Sequence, residues 1–260
     1  MMNEDFDLSS GREPIGIGLQ LWTVREMAEH DMHSTLRAVA ALGYTAIEFA
    51  GFATSDTAAI RQTLNEWGLQ AVSAHVPFAA LASALDGVIR DLHGIGCGRA
   101  VVPAFSRDLF RTPDDALRLA DVLNTIAGRL CAEGIAFAYH NEADDFAPLG
   151  DSTLWLTLVT HTDPALVDVQ LDVFTAIQMK QDPIELMPTC AARVVSIHVC
   201  DMRDGQYVPI GQGTLDWPTL IAAARHTACK WLIVEHDAPP EPLRDAQTSL
   251  DSLTWLLVSN

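Results

Sequence analysis

Four polar residues each close a short apolar run in the second half of the chain. They are His140 after IAFAY, Asp172 after LVDVQL, His198 after RVVSI and Glu235 after WLIV. Two imidazoles and two carboxylates make a mixed nitrogen and oxygen donor set for one divalent cation. That mixture suits Mn²⁺, Co²⁺, Fe²⁺ or Zn²⁺ better than Ca²⁺. A single His or Asp in such a place reads as a core polar residue satisfied by hydrogen bonds. Four at matching ends of four successive runs point to a metal.

The elements that must bring them together follow from the rest of the pattern. Apolar runs over 15–21, 46–49, 70–75, 99–103, 135–140, 167–172, 194–198 and 231–235 predict eight strands. Between them, 34–42, 57–67, 114–133, 217–226 and 244–258 repeat apolar residues at three- and four-residue spacing, as helices covering a sheet require. Gly43 and Gly134 stand where a left-handed C-cap is wanted, while Thr112-Pro113 and Asp216-Trp217-Pro218 supply N-caps with proline in the first turn. Eight strand–helix units in 260 residues predict a single-domain (β/α)8 TIM barrel over 14–260, with 1–13 a flexible tail. A doubly wound open sheet is the competitor. It would carry a glycine-rich phosphate loop after the first strand, where the chain instead reads GLQLWTVRE.

Active sites of such barrels lie at the C-terminal ends of the strands. Glu235, His75 and Asp145 are therefore the candidate catalytic acids and bases. Gln20, Trp22, Glu48, Asn141 and Arg203 are the candidate substrate contacts. Glu142 and Asp201 stand in the same loops as further acids. His30 and His33 form an HxxH read as a solvated loop, His93, His161 and His226 look structural near helix C-termini, and Cys200 reads as a small apolar filler.

Composition narrows the partner. The net charge of −18 and the absence of any Lys/Arg cluster argue against nucleic acid. Five scattered cysteines without a CxxC suit a reduced cytoplasmic protein, and no apolar run approaches membrane-spanning length. The N-terminus lacks the basic and apolar regions of a signal peptide. The expected partner is a small carbohydrate or polyol, and a homodimer stays open.

Taken in order, GLQLWTVRE, LGYTAIEFAGF, SAHVPF, YHNEADDF, LDVFTAIQMKQDP, VSIHVCDM, PIGQGTLDW and WLIVEHD resemble the sugar phosphate isomerase/epimerase superfamily of xylose isomerase-like TIM barrels. The resemblance runs from Ile17 to about Pro239. It implies that one divalent metal is held at positions 140, 172, 198 and 235, where relatives carry Glu, Asp, His and Glu. This chain departs at His140, a substitution shared by a subgroup with a YHNH-type motif. Two departures follow that motif, Glu142 for a His and Asp145 for a Glu, and Cys200 replaces a Lys in the usual LHVKDM. The expected activity is divalent-metal-dependent isomerisation or epimerisation of a small keto sugar or polyol, by proton abstraction next to a polarised carbonyl. With only one of the family's two metal-bound glutamates present, a dehydratase (lyase) of a keto-inositol or keto sugar is the alternative. A non-catalytic sugar-binding barrel is the third reading. The loss of Lys at 200 and the scarcity of basic residues at the rim weigh against a phosphorylated substrate.

Overall fold

In the computed structural model, which describes residues 14–51 and 56–259, the eight expected runs are the strands of a closed barrel. They are β1 (Gly16–Gln20), β2 (Ala46–Phe49), β3 (Gln70–His75), β4 (Arg99–Val102), β5 (Ala136–His140), β6 (Val167–Asp172), β7 (Val194–Val199) and β8 (Trp231–Val234). Each pairs with its sequence neighbours in parallel, and β8 closes onto β1. The expected flexible tail, 1–13, lies outside the described residues.

Parallel strands covered by helices are buried on both faces, and period two decides what each face carries. Leu19, Ile47, Phe137, Val169, Leu171, Ile197 and Leu232 join the apolar core between barrel and helices. The alternate residues point into the barrel. Inside, small residues face large ones across the seam: a Cβ on Gly18 would come 2.8 Å from Ile233 Cδ1, its partner on β8. Along β6 the inward residues are Asp168, Gln170 and Asp172. Asp168 pairs with Arg99 at the lower end (2.5 Å), Gln170 occupies the middle and Asp172 the rim.

The helices follow their sequence signals. Pro113–Ala132 begins with a Thr112/Asp115 capping box and proline in its first turn, and the left-handed Gly134 (φ 73°) follows its end. Thr57–Trp67 spans the predicted residues and ends on left-handed Gly68. His30 and His33 are not in a loop: they lie in the helices Arg25–His30 and Met32–Ala41, and His33 Nδ1 pairs with Thr63 Oγ1 at 2.6 Å.

Two antiparallel hairpins were not expected, a short one pairing Pro148–Leu149 with Ser152–Thr153 and a longer one at the mouth, and neither were the helices Leu85–Ile95 and Leu154–His161. After β7 the chain makes an antiparallel hairpin, Asp201–Arg203 with Gln206–Val208. Its turn is Asp204-Gly205, both at positive φ (53° and 76°), the dipeptide that a two-residue type I′ turn prefers. Asp201 anchors its base, accepting from the backbone N–H groups of Gly211 and Gly213 (2.9 and 3.0 Å) and from Trp217 Nε1 (2.9 Å). A Cβ at Gly213 would collide with that carboxylate. Asp201 is thus a loop anchor and not an acid facing substrate. Among the described residues no helix is long and apolar enough to cross a membrane.

Candidate metal centre

His140 and Asp172 are the last residues of β5 and β6, and His198 is next to last on β7. Glu235 falls one residue past β8, but its N–H still bonds Val199 O at 3.1 Å, so its side chain stays at the same rim. One donor atom from each of the four lies within 4.8 Å of the others. An ion bound at a little over 2 Å by each would place its ligand atoms roughly 3.5 Å apart, so a small contraction completes the set.

The hydrogen-bond network decides which atom each residue offers. Gln170 Nε2 donates to Glu48 Oε2 (2.7 Å) and Ser196 Oγ (3.0 Å), so Gln170 Oε1 must accept. Its partners are His140 Nδ1 at 3.0 Å and His75 Nε2 at 2.8 Å. His140 accordingly carries its proton on Nδ1, which leaves the Nε2 lone pair for a metal, 3.9 Å from Asp172 Oδ2. Asp172 Oδ1 is taken by the N–H of Thr175 at the head of the next helix (2.7 Å), so Oδ2 is the oxygen left free. His198 Nε2 meets Glu48 Oε1 at 2.6 Å, and its Nδ1 faces Glu235 Oε2 at 2.8 Å. A carboxylate behind an imidazole, or an amide held by one, is what commonly orients the histidines of a metal site.

Electrostatics agree with a cation here. Burial opposes charge on His198, but Glu235 and Glu48 on its two sides outweigh it and hold its pKa well above the ordinary value. The site thus calls for positive charge between the two glutamates, which a divalent ion supplies without a proton. Burial, reinforced by His198 and His75, holds His140 well below its ordinary value, so it is a neutral donor. Burial pushes Asp172 up to about 6. Nitrogen and oxygen donors, the fixed tautomer of His140 and a deficit of positive charge around His198 all fit a borderline divalent metal.

A third imidazole belongs to this centre. His75 lies 5.0 Å from His140 and 5.2 Å from His198, ring centre to ring centre, and the three imidazoles form a second close donor group. Its Nε2–H points at Gln170 Oε1 and at Glu48 Oε1 (3.1 Å), and Nδ1 has no partner among the described residues. Burial lowers its pKa and Glu48 more than reverses this, so the net shift is upward.

Several expected substrate contacts are engaged elsewhere. Glu48 is fully buried and receives Gln20 Nε2, Ser73 Oγ, Gln170 Nε2, His75 and His198, so it has no oxygen to offer a substrate. Gln20 is equally buried, with its amide spent on Glu48 and on Trp22 N. Asn141 uses both ends of its amide on the Asp172 backbone, clamping β5 to β6 at the rim. Arg203 reaches back to Gln212 O on the outside of the hairpin. Asp145, 1% exposed, accepts from Tyr139 Oη (2.6 Å) and from Glu142 N (3.0 Å), which makes it a loop anchor and not a group open to the mouth. Trp22 remains at the mouth, 40% exposed, with Nε1 on Asp237 Oδ1 (2.7 Å) and the Arg25 guanidinium over its ring. Glu142 also stands at the mouth, open on one side and walled by the rim on the other; partial desolvation of its carboxyl, then the charges of Asp172 and Glu235, push it up to about 7. Cys200 is a buried filler whose thiol meets Val208 O.

Gln170, Ser73 and Ser196 escaped the sequence reading. The signal was there: each stands two residues before a rim residue, and so on the same inward face.

Residues 36–256 match the family model described as xylose isomerase-like TIM barrel. An inosose dehydratase of Geobacillus kaustophilus (strain HTA426) is 25% identical over 240 residues, which cover 82% of this chain and 77% of that protein. A sugar phosphate isomerase/epimerase of Parabacteroides distasonis superposes with a TM-score of 0.81 at 21% identity, over 92% of this chain and 98% of that one. A probable 3-DHS dehydratase of Bacillus anthracis superposes with a TM-score of 0.71 at 11% identity, over 92% and 99%. At these identities the superpositions speak for the fold alone.

Proposed function

The chain belongs to the xylose isomerase-like TIM barrel family, and from that premise we propose that it is a divalent-metal-dependent enzyme enolising small polyhydroxylated ketones. One observation carries the reading: His140, Asp172, His198 and Glu235 bring four donor atoms together, with Gln170 and Glu48 holding the two imidazoles from behind. An ion held there, of Mn²⁺, Co²⁺, Fe²⁺ or Zn²⁺ type, would supply the positive charge that polarises a ketone and acidifies the neighbouring C–H.

The chain's own residues then divide the proton work. Glu235 is partly exposed, and nothing among the described residues donates to its second oxygen, so it is the base that takes the C–H proton. His75 is the complementary acid. Glu48 holds its Nε2–H, and its unpartnered Nδ1 can carry a proton to the substrate. It thereby stands in for the second glutamate that position 140 lacks. Returning the proton to the former carbonyl carbon gives the isomer, and returning it to the same carbon on the opposite face gives the epimer. If His75 instead protonates a β-hydroxyl, the C–O bond breaks, water leaves and the electron pair freed at carbon forms a C=C bond. Two observations favour this second reading, dehydration: the imidazole at position 140, and the inosose dehydratase among the relatives.

The test is incubation of metal-loaded protein with a panel of ketoses and keto-inositols in D₂O. Proton NMR is expected to show exchange at the carbon beside the carbonyl, and mass spectrometry to report isomer or dehydrated product. No exchange with any member of the panel overturns enolisation. In parallel, His198→Ala is expected to lose the metal by elemental analysis, and unchanged metal content would overturn the ligand assignment.

A further inference from the structure

The unexpected hairpin after β7 brings one side chain back to the mouth. Tyr207 stacks on Phe174, ring centres 3.5 Å apart and planes within 13°, and Phe174 stands two residues after Asp172. On the other side its ring lies 5.6 Å from His236, the residue after Glu235. The three rings thus follow one another along the side of the mouth that carries the two carboxylate ligands.

Two polar atoms of this aromatic wall lack partners. Among the described residues nothing hydrogen-bonds the Tyr207 hydroxyl or the buried His236 Nδ1, the latter in a residue only 4% exposed. A buried polar atom left unsatisfied is costly, so His236 Nδ1 marks a place where a partner is wanted, and the half-buried Tyr207 beside it keeps its hydroxyl free to donate. We propose that Tyr207 is a specificity-determining residue, its phenol O–H donating to an uncharged hydroxyl or carbonyl oxygen of the substrate while the stacked rings carry the substrate's C–H face.

The surrounding charges set the class of that substrate group. Burial, then Asp172, Asp237 and Glu235, push the Tyr207 pKa far above its ordinary value, so the phenol stays a neutral donor among carboxylates. The arginines of the mouth loops are engaged. Arg25 bonds Asp237 O (2.7 Å) and Trp22 O (3.0 Å), Arg107 bonds Asp144 O (3.3 Å) over the Phe110 ring, and Arg203 bonds Gln212 O. A phosphate or carboxylate entering beside Tyr207 would meet the Asp237 carboxylate and no free guanidinium, with Asp172 and Glu235 committed to the metal centre. A polyol hydroxyl would meet a donor and a π face. This subsite therefore selects an unphosphorylated polyhydroxylated ketone, which rests on the enolisation reading above and narrows it.

The experiment uses metal-loaded wild type, Tyr207→Phe, which keeps the stacking ring, and Tyr207→Ala, which removes it. Calorimetry measures equilibrium binding of myo-inositol, fructose and fructose 6-phosphate, and proton exchange in D₂O is followed with keto-inositol and fructose. Wild type is expected to bind the neutral polyols at least tenfold more tightly than the phosphate ester. Tyr207→Phe is expected to weaken polyol binding about tenfold and raise KM while kcat stays within about twofold, and Tyr207→Ala is expected to weaken it further. Binding by wild type with Tyr207→Phe unchanged overturns the role of Tyr207 and leaves enolisation standing. Preference for the phosphate ester, or no polyol binding by wild type, overturns the substrate class. Polyol binding that depends on Tyr207 without any proton exchange upholds the subsite and overturns enolisation.

Discussion

Two glutamates face the two nitrogens of one imidazole. Glu48, from β2, meets His198 Nε2 at 2.6 Å, and Glu235, just past β8, meets Nδ1 at 2.8 Å. They are the same residue at the ends of two strands of one barrel, and their surroundings make them different tools. Glu48 is fully buried, and its pKa is held well below the ordinary value: burial opposes the charge, but His75 and His198 outweigh it. Five groups converge on it, so it is a fixed anion that orients imidazoles. Glu235 has one committed oxygen and one open to the mouth, as a base requires. Depth below the rim, and not residue type, separates positioning from chemistry here.

The comparison is tested most severely at the open glutamate. Glu235→Gln is expected to lower proton exchange at the substrate carbon about 10³-fold, the scale of losing a general base. Its effect on folding is expected to be small beside that of Glu48→Gln, because Glu235 serves one partner. NMR exchange rates and thermal melts of the same samples read both. Activity within tenfold of wild type would remove Glu235 from the role of base.

Glu48→Gln should show the reverse pattern. An amide there would point its N–H groups either at Ser73 and Gln170 or at Gln20 and the two imidazoles, setting donor against donor, and would leave the imidazoles without their counter-charge. The expected stability loss is roughly 3 kcal/mol, as when a buried ion pair loses one partner. Metal affinity is expected to fall about ten- to hundredfold, the usual range for such supporting residues. Chemical denaturation and metal titration measure the two effects. Wild-type metal affinity in Glu48→Gln would show that His198 needs no anion behind it.

This division was only half legible in the sequence. The rim cluster could be found because each of its residues ends an apolar run, and the barrel because eight runs alternate with helical periods. Glu48 stands one residue before the end of its run and so reads as a mouth residue; nothing in AIEF tells how deep its side chain lies. Gln170 was hidden inside VDVQLD, where period-two alternation suits a half-exposed strand as well as the polar inner face of a barrel. That Gln170 links β6 to Glu48 on β2, across the barrel, is a tertiary fact without a local signature. The hairpin was legible in Asp204-Gly205, but only three residues flank each side, too few for strand periodicity to appear.

The smallest effect expected is at Asp145, which the loop geometry takes away from the chemistry. Asp145→Asn can still accept from Tyr139 Oη and Glu142 N through its remaining carbonyl oxygen, so proton exchange should change by less than about threefold. Its signature lies in stability against pH. Burial raises the Asp145 pKa to about 6, from 3.8 for the free carboxyl. The folded state therefore holds this proton more tightly than the unfolded state. That stabilisation is fully present below about pH 4 and is lost as pH rises through about 6. In metal-free protein, Asp145→Asn should flatten the decline across that window. It will not level it, because Asp172 is raised to about 6 by burial as well and keeps its own share. Urea unfolding at intervals between pH 4 and pH 7 measures the slope. An unchanged slope together with a large loss of exchange would return Asp145 to the catalytic side of the comparison.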